Sequence, residues 1–198
     1  MTDVRLVETD REVTLYIDGG QAMQAWEAPL MEASADLLTQ YGDTFLEAGL
    51  GLGISALRIA ARAQRHTVVE KHEQVIELFE QRHPDPPPAL EIVHGDFFEH
   101  VHTLAPESLD GIFFDPFLGS QERWRDPALW QRTMPAVVRA LRTGGAFIPC
   151  FTSEPVLRWE FLPYFERVVV ERRPFAAYPG TTYAAPSGDA FIQCFVKS

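Results

Sequence analysis

The chain has 198 residues, 46% of them hydrophobic, and a formal net charge of −11 at pH 7. That length builds one domain with its own core, and the apolar share excludes a disordered chain. A nucleic-acid binder must neutralise phosphates with Lys and Arg, so the acidic balance argues against one and suits a small cationic substrate.

Residues 12–18 (EVTLYID) alternate as a strand and meet a turn at Gly19-Gly20. Residues 27–40 read as a helix, and 44–49 (TFLEAG) as a short buried strand. Residues 53–65 carry apolar side chains at 54, 57, 60 and 61, a helical period. A strand at 66–72, a helix at 73–82 and a proline-stiffened loop at 83–90 follow. Strands are expected at 90–96 and at 108–117, the latter stopped by Asp115-Pro116. Residues 126–142 read as a helix ending at Gly144-Gly145, and 146–151 as the next strand. The tail offers two more strands, 165–175 and 189–197, joined by a Pro/Gly loop. Alternating strands and helices closed by a hairpin predict an α/β, Rossmann-like, doubly wound sheet. It has seven strands, mostly parallel with an antiparallel last strand, and helices on both faces. The whole of 1–198 reads as one domain. Residues 1–42 supply a strand and helix that cover the active site, and 43–198 the cofactor-binding core and substrate loops.

The stretch FLEAGLGLGISAL is a strand, a glycine turn and a helix. Gly49, Gly51 and Gly53 are spaced Gly-x-Gly-x-Gly, unlike the Gly-x-Gly-x-x-Gly of dinucleotide binders. Glu47, two residues before the first glycine, would repel a pyrophosphate and favour a ligand bearing a sulfonium and an ammonium. Glu70 ends the second core strand, where an acid accepts hydrogen bonds from ribose hydroxyls. Asp96 ends the third, placed for an adenine edge, with Phe97 beside the ring. This organisation, with LRTGG before the fifth core strand, resembles the class I S-adenosylmethionine (SAM)-dependent methyltransferases over nearly the whole chain. The implied cofactor is SAM, released as S-adenosylhomocysteine.

More specific is AMQAWEAPLME, residues 22–32. It is similar to the Met-x-x-Trp-Glu-x-Pro-x-Met segment of guanidinoacetate methyltransferases and arginine δ-N-methyltransferases. VVEKHEQVIELF, LDGIFFDPF, PCFTSEPVL and TTYAAPSGDAFIQCF follow the same family in order. The resemblance implies a guanidino N-methyltransferase acting on arginine, at its internal nitrogen, or on guanidinoacetate. The alternative is a protein arginine or another amine acceptor. It implies that Glu27 and Asp115 grip the guanidinium, with Asp115 taking the proton, and that Met23 and Lys71 belong to the cofactor site. It places Trp26 and Phe117 by the substrate and Tyr183 over it as a lid. The substrate carboxylate goes to the backbone of Phe151, Thr152 and Ser153, which fits Ser153 as the N-cap of a helix with Pro155 in its first turn. The chain departs from the family pattern at Phe117, which has no hydroxyl, and at Gly95-Asp96-Phe97-Phe98.

Other features read as structural. Cys150 and Cys194 lie in apolar runs and are expected to be buried thiols. His100 and His102 are expected at the surface, no metal spacing is present, and Trp124 and Trp130 read as a helix packing face. No apolar run approaches the ~20 residues of a membrane span, and residues 1–10 lack the apolar core of a signal peptide. A cytoplasmic protein is expected, monomeric or homodimeric, with no nucleic-acid or membrane partner.

Overall fold

The computed structural model describes residues 2–198. β1 (Val4–Glu8), β2 (Val13–Ile17) and β3 (Gly20–Gln24) form a small antiparallel sheet in the order β1-β2-β3. A single 3-10 turn, Ala25–Glu27, leads into α1 (Ala28–Leu38), with Pro29 in its first turn. The core then alternates β4 (Thr44–Ala48), α2 (Ile54–Ala60), β5 (Arg65–Glu70), α3 (Glu73–Arg82), β6 (Leu90–His94), α4 (Phe97–Thr103) and β7 (Leu109–Phe114). It continues through α5 (Gln121–Trp124), α6 (Pro127–Ala140) and β8 (Leu141–Pro149), and closes with β9 (Arg167–Ala176) and β10 (Ser187–Val196).

The large sheet runs β6-β5-β4-β7-β8-β10-β9. β4, β5, β6, β7 and β8 pair in parallel, whereas β10 pairs antiparallel with both β8 and β9. The expected architecture is therefore observed, with the antiparallel last strand wedged one place inside the edge. Strand order reverses between β4 and β7, and in such sheets the crevice beyond the carboxyl ends of those strands receives the ligand.

Side-chain alternation builds a core on each face. Phe45 and Phe113 point into one cluster with Met31 and Leu38 of α1, Ile59 of α2 and Phe79 of α3. Leu46 and Phe114 point into the other with Val101 of α4 and Trp130 and Val137 of α6. Trp124 packs on Trp130 at 5.5 Å between ring centroids, as a packing face requires.

Three local expectations need correcting. The N-terminal segment holds three strands, not one. β1 is half-exposed, and β3 is a polar run stabilised by pairing with β2. The helix at 126–142 ends at Ala140, and Gly144-Gly145 lie inside β8 instead of capping it. Among the described residues no α-helix follows Ser153: the chain stays irregular until the 3-10 turn Leu162–Tyr164. α4 escaped the sequence reading because it is only seven residues long, anchored by Phe97 and Val101 on one face.

Candidate active site

β4 feeds the glycine turn directly. Gly49, Gly51 and Gly53 have φ of +86°, +53° and +77°, a left-handed region in which a side chain is strained. At Gly51 there is no room either: a Cβ would stand 2.7 Å from Met23 Sδ. Met23 Sδ also accepts from Leu52 N at 3.1 Å, so the N-terminal sheet is buttoned onto the turn. From the other side Glu70 holds it, accepting from Leu50 N at 2.8 Å and from His72 N at 2.7 Å.

A cavity of about 310 Å³ opens on this bare backbone, walled by Met23, Gly49, Glu70, Asp96, Phe97 and Phe117 and reaching Asp115. Lys71 also faces it, its Nζ 3.0 Å from Asp96 Oδ2, while Asp96 Oδ1 caps α4 by accepting from Phe98 N at 2.9 Å. Burial pushes Asp96 up, but the Lys71 ammonium and the Phe98 N–H outweigh it and hold the carboxyl below its ordinary range. The fit to SAM is good. A backbone cradle that a Cβ would fill lies beside a strand-end carboxylate able to meet ribose hydroxyls.

Two residues fall elsewhere than expected. Glu47 does not wall the cavity: it is buried beneath the turn, bonded to the Ser55 hydroxyl and 2.7 Å from His66 Nε2. Its carboxylate fastens β4 to α2 and β5, because a carboxylate sealed under a turn needs hydrogen-bond partners. Phe117, expected at the substrate, packs toward the β2–β3 hairpin, where a Cβ on Gly20 would stand 3.1 Å from its ring. It lacks a hydroxyl and behaves as apolar wall.

Beyond Asp115 the two expected acids come together. Glu27 is 6% exposed. Its Oε1 accepts from Gln24 N at 2.7 Å and from the Tyr183 hydroxyl at 2.6 Å. Burial raises its pKa from 4.5 to about 7, although both hydrogen bonds pull it down. Asp115 is half-buried and lines the cavity. Its pKa lies well above the ordinary carboxylate range, raised first by burial and then by the negative charges of Glu27 and Glu47. Arg158 offsets this in part, yet among the described residues neither Glu27 nor Asp115 is in an ion pair. Two neighbouring carboxylates, Glu27 buried and Asp115 half-buried, with no ion-pair partner among the described residues, form a site of high negative potential. Cys150, beside Asp115, has its thiol pushed up to about 12 by burial, and the structure leaves it partly exposed where full burial was expected.

An aromatic box closes the acid pair. Trp26 stacks on Phe175 at 5.4 Å and on Tyr183 at 6.1 Å, and meets Phe151 edge-on at 6.2 Å. The loop carrying Tyr183 is held by side chains that the sequence reading missed. Gln24 Oε1 accepts from Thr181 Oγ1 at 2.6 Å and from Trp26 Nε1 at 2.8 Å. Gln21 accepts from Thr182 N at 2.8 Å and donates to Gly180 O at 2.8 Å. Two glutamines three residues apart in one segment were the available signal, but their partners lie some 160 residues away in sequence.

Of the expected carboxylate anchor, only the Thr152 N–H is committed elsewhere. Thr152 N is committed to Phe191 O at 3.2 Å in a bridge that joins this segment to β10. With no α-helix following, no helix N-terminus adds to that anchor. Ser153 is exposed on an open vestibule outside Tyr183.

A family model described as guanidinoacetate N-methyltransferase matches residues 3–159. The chain belongs to that family. Two curated relatives also match. One is protein arginine N-methyltransferase 2 of Yarrowia lipolytica (strain CLIB 122 / E 150), 28% identical over 57% of this chain and 26% of the relative. The other is ribosomal RNA small subunit methyltransferase H of Koribacter versatilis (strain Ellin345), 32% identical over 46% of this chain and 32% of the relative. The chain thus spans a third or less of these relatives. Among solved structures, a spermidine synthase in complex with the transition-state analogue AdoDATO superposes with a TM-score of 0.68 at 17% identity, covering 98% of this chain and 72% of that one. The N-methyltransferase NodS from Bradyrhizobium japonicum WM9 superposes with a TM-score of 0.61 at 14% identity, over 87% and 97%. These establish the fold.

Proposed function

We propose that this protein methylates a guanidino nitrogen of a small cationic molecule. The supporting observation is the pair Glu27 and Asp115, two neighbouring acids raised by burial, in no ion pair among the described residues, at the far wall of the cavity beside the glycine turn. Such a pair is costly to ionise alone and is relieved by a cation. A guanidinium is the cation whose planar fork can meet two carboxylates at once.

Bound SAM supplies the electrophilic methyl group. The rest falls to side chains of this chain. A guanidinium, with a pKa above ~12, has no lone pair for attack until it gives up a proton. Glu27, its Oε1 fixed by Tyr183 and Gln24, sets the plane of the fork. Asp115 borders the cavity directly and has its proton affinity raised, so it accepts the proton as the nitrogen is alkylated. Trp26, Phe175 and Tyr183 exclude water from the acid pair. Holding the nitrogen in line supplies on the order of 7–11 kcal/mol of barrier lowering. The nitrogen that bears the alkyl chain is the proposed target.

The test is to incubate the protein with SAM and, separately, arginine, guanidinoacetate, agmatine and an arginine peptide, then to weigh the products. A mass gain of one methyl on a guanidine supports the proposal. Stoichiometric SAM binding with no guanidine methylated refutes it.

A further inference from the structure

The end of β8 places Cys150 beside Asp115. The Cys150 N–H donates to Phe114 O at 2.8 Å, continuing the pairing of β8 with β7, so the two residues leave the sheet next to each other. The Cys150 thiol donates to the Asp115 carboxylate. Its sulfur accepts in turn from Arg158 Nη2 at 3.3 Å, and the same nitrogen lies 3.4 Å from the Cys150 carbonyl oxygen. Carboxylate, thiol and guanidinium form a file leading away from the cavity, and Arg158 is not among the described residues that wall it.

Arg158 has only loose partners of its own. Glu160 Oε1 stands 3.7 Å from its Nη1, and its guanidinium carbon lies 4.8 Å over the Trp124 ring. Its Nε is buried with no hydrogen-bond partner among the described residues. A mostly buried guanidinium held in this way is costly unless a further negative charge compensates it. The segment that carries it is nonetheless fixed. Gln193 of β10, itself buried, accepts from Arg158 N at 3.0 Å through Oε1 and donates to Val156 O at 2.8 Å through Nε2. That clamp holds an irregular stretch of chain where its arginine meets the Cys150 sulfur. Around Asp115 the charged and titratable groups are Glu27 before α1, Glu47 of β4, Tyr183 of the β9–β10 loop, Cys150 and Arg158. Glu27 and Glu47 oppose a charge on Asp115, whereas Arg158 and the thiol favour one.

Resting on the guanidinium reading of Glu27 and Asp115, we propose that Cys150 and Arg158 are positioning residues for the methyl transfer. The thiol fixes the Asp115 carboxylate, and the guanidinium behind the sulfur supplies the positive charge that lets a second acid ionise beside Glu27. Asp115 is then a carboxylate when the acceptor nitrogen gives up its proton. Set behind Cys150 and off the cavity wall, the Arg158 charge does this without taking the place of the cationic acceptor.

The experiment follows the Asp115 carboxyl directly, by carbon NMR of protein labelled at aspartate Cγ and assigned with Asp115→Asn. Arg158→Gln should move the Asp115 midpoint up by about one pH unit and lower kcat near neutral pH about tenfold, as loss of a nearby opposite charge requires. Arg158→Lys, which keeps the charge, should recover most of both. Cys150→Ala should also raise the midpoint and lower kcat about tenfold, and Cys150→Ser, whose hydroxyl donates in place of the thiol, should return to within about threefold of wild type. S-adenosylhomocysteine affinity, read by calorimetry, should stay at the wild-type value in all four. An Asp115 midpoint unmoved in both Arg158→Gln and Cys150→Ala overturns the proposal. So does a defect of Arg158→Gln confined to KM for arginine and absent with agmatine, which would make Arg158 a ligand of the acceptor's carboxylate. If the midpoint moves as expected but the wild type methylates no guanidine, the guanidinium reading fails instead, so the two failures are distinguishable.

Discussion

Replacing Glu27 by Gln should inactivate the enzyme and, at the same time, stabilise the ligand-free protein above neutral pH. Burial pushes the carboxyl from its ordinary 4.5 up to about 7 in the folded protein. A pKa raised by folding means that the native state holds a proton the unfolded state has released. Below pH 4.5 both states are protonated and Glu27 costs nothing. Between pH 4.5 and 7 its contribution falls steadily, and above 7 the full loss, roughly 3 kcal/mol at ~1.4 kcal/mol per unit, is present. Gln carries no charge at any pH, and its amide oxygen can still accept from Tyr183 and Gln24. Its stability should therefore match wild type near pH 4.5 and exceed it increasingly up to about pH 7. For a chain of this size, ~2–4 °C per kcal/mol makes the difference about 6–12 °C in Tm above pH 7. Thermal unfolding of both proteins from pH 4.5 to 8.5, by calorimetry without ligand, measures it. A difference that is flat with pH, or a Gln variant less stable than wild type at pH 8, would refute the claim that an uncompensated buried charge sits at position 27.

The same titration predicts the pH dependence of catalysis: kcat/KM should rise with pH through a midpoint near 7, because free enzyme with Glu27 protonated cannot grip a cation. Tyr183→Phe removes a hydrogen bond that favours the ionised carboxylate, so this acid limb should move to higher pH and KM for the guanidine should rise about fivefold, the worth of one such bond. Gly51→Ala combines a left-handed φ with a Cβ that crowds Met23. It should weaken SAM binding by about tenfold, as read by titration calorimetry, from ~1–2 kcal/mol of backbone strain.

The core sheet was legible because its strands are buried on both faces. Runs such as GIFF before Asp115 are uninterrupted and end at charged residues or glycines, so their order and the site-bearing strand ends follow from the chain itself. The glycine turn was legible for a related reason, since three left-handed positions require three glycines. Elements stabilised mainly by pairing were not. β3 is five residues of mixed polarity that form a strand through β2. The segment after Ser153 carries N-cap and Pro signals, yet Thr152 is drawn into a bridge with β10 and the helix never starts. The role of Glu47 was misjudged because its partners, Ser55 and His66, approach from different elements and seal it under the turn. The vestibule depends on Gln21 and Gln24 reaching the β9–β10 loop, contacts between the two ends of the chain that no local pattern announces.

The central claim is that Glu27 and Asp115 form a paired anionic site for a guanidinium. It is tested most directly by calorimetric titration of methylguanidine into the protein saturated with S-adenosylhomocysteine at pH 6.5, in two buffers of different ionisation heat. Binding of the cation should expel the proton that Glu27 holds at that pH, a release of up to about three-quarters of a proton from that group. Glu27→Gln should abolish that release, and neutral methylurea should bind far more weakly. Equal binding of methylurea and methylguanidine, or an unchanged proton release in Glu27→Gln, would contradict the account.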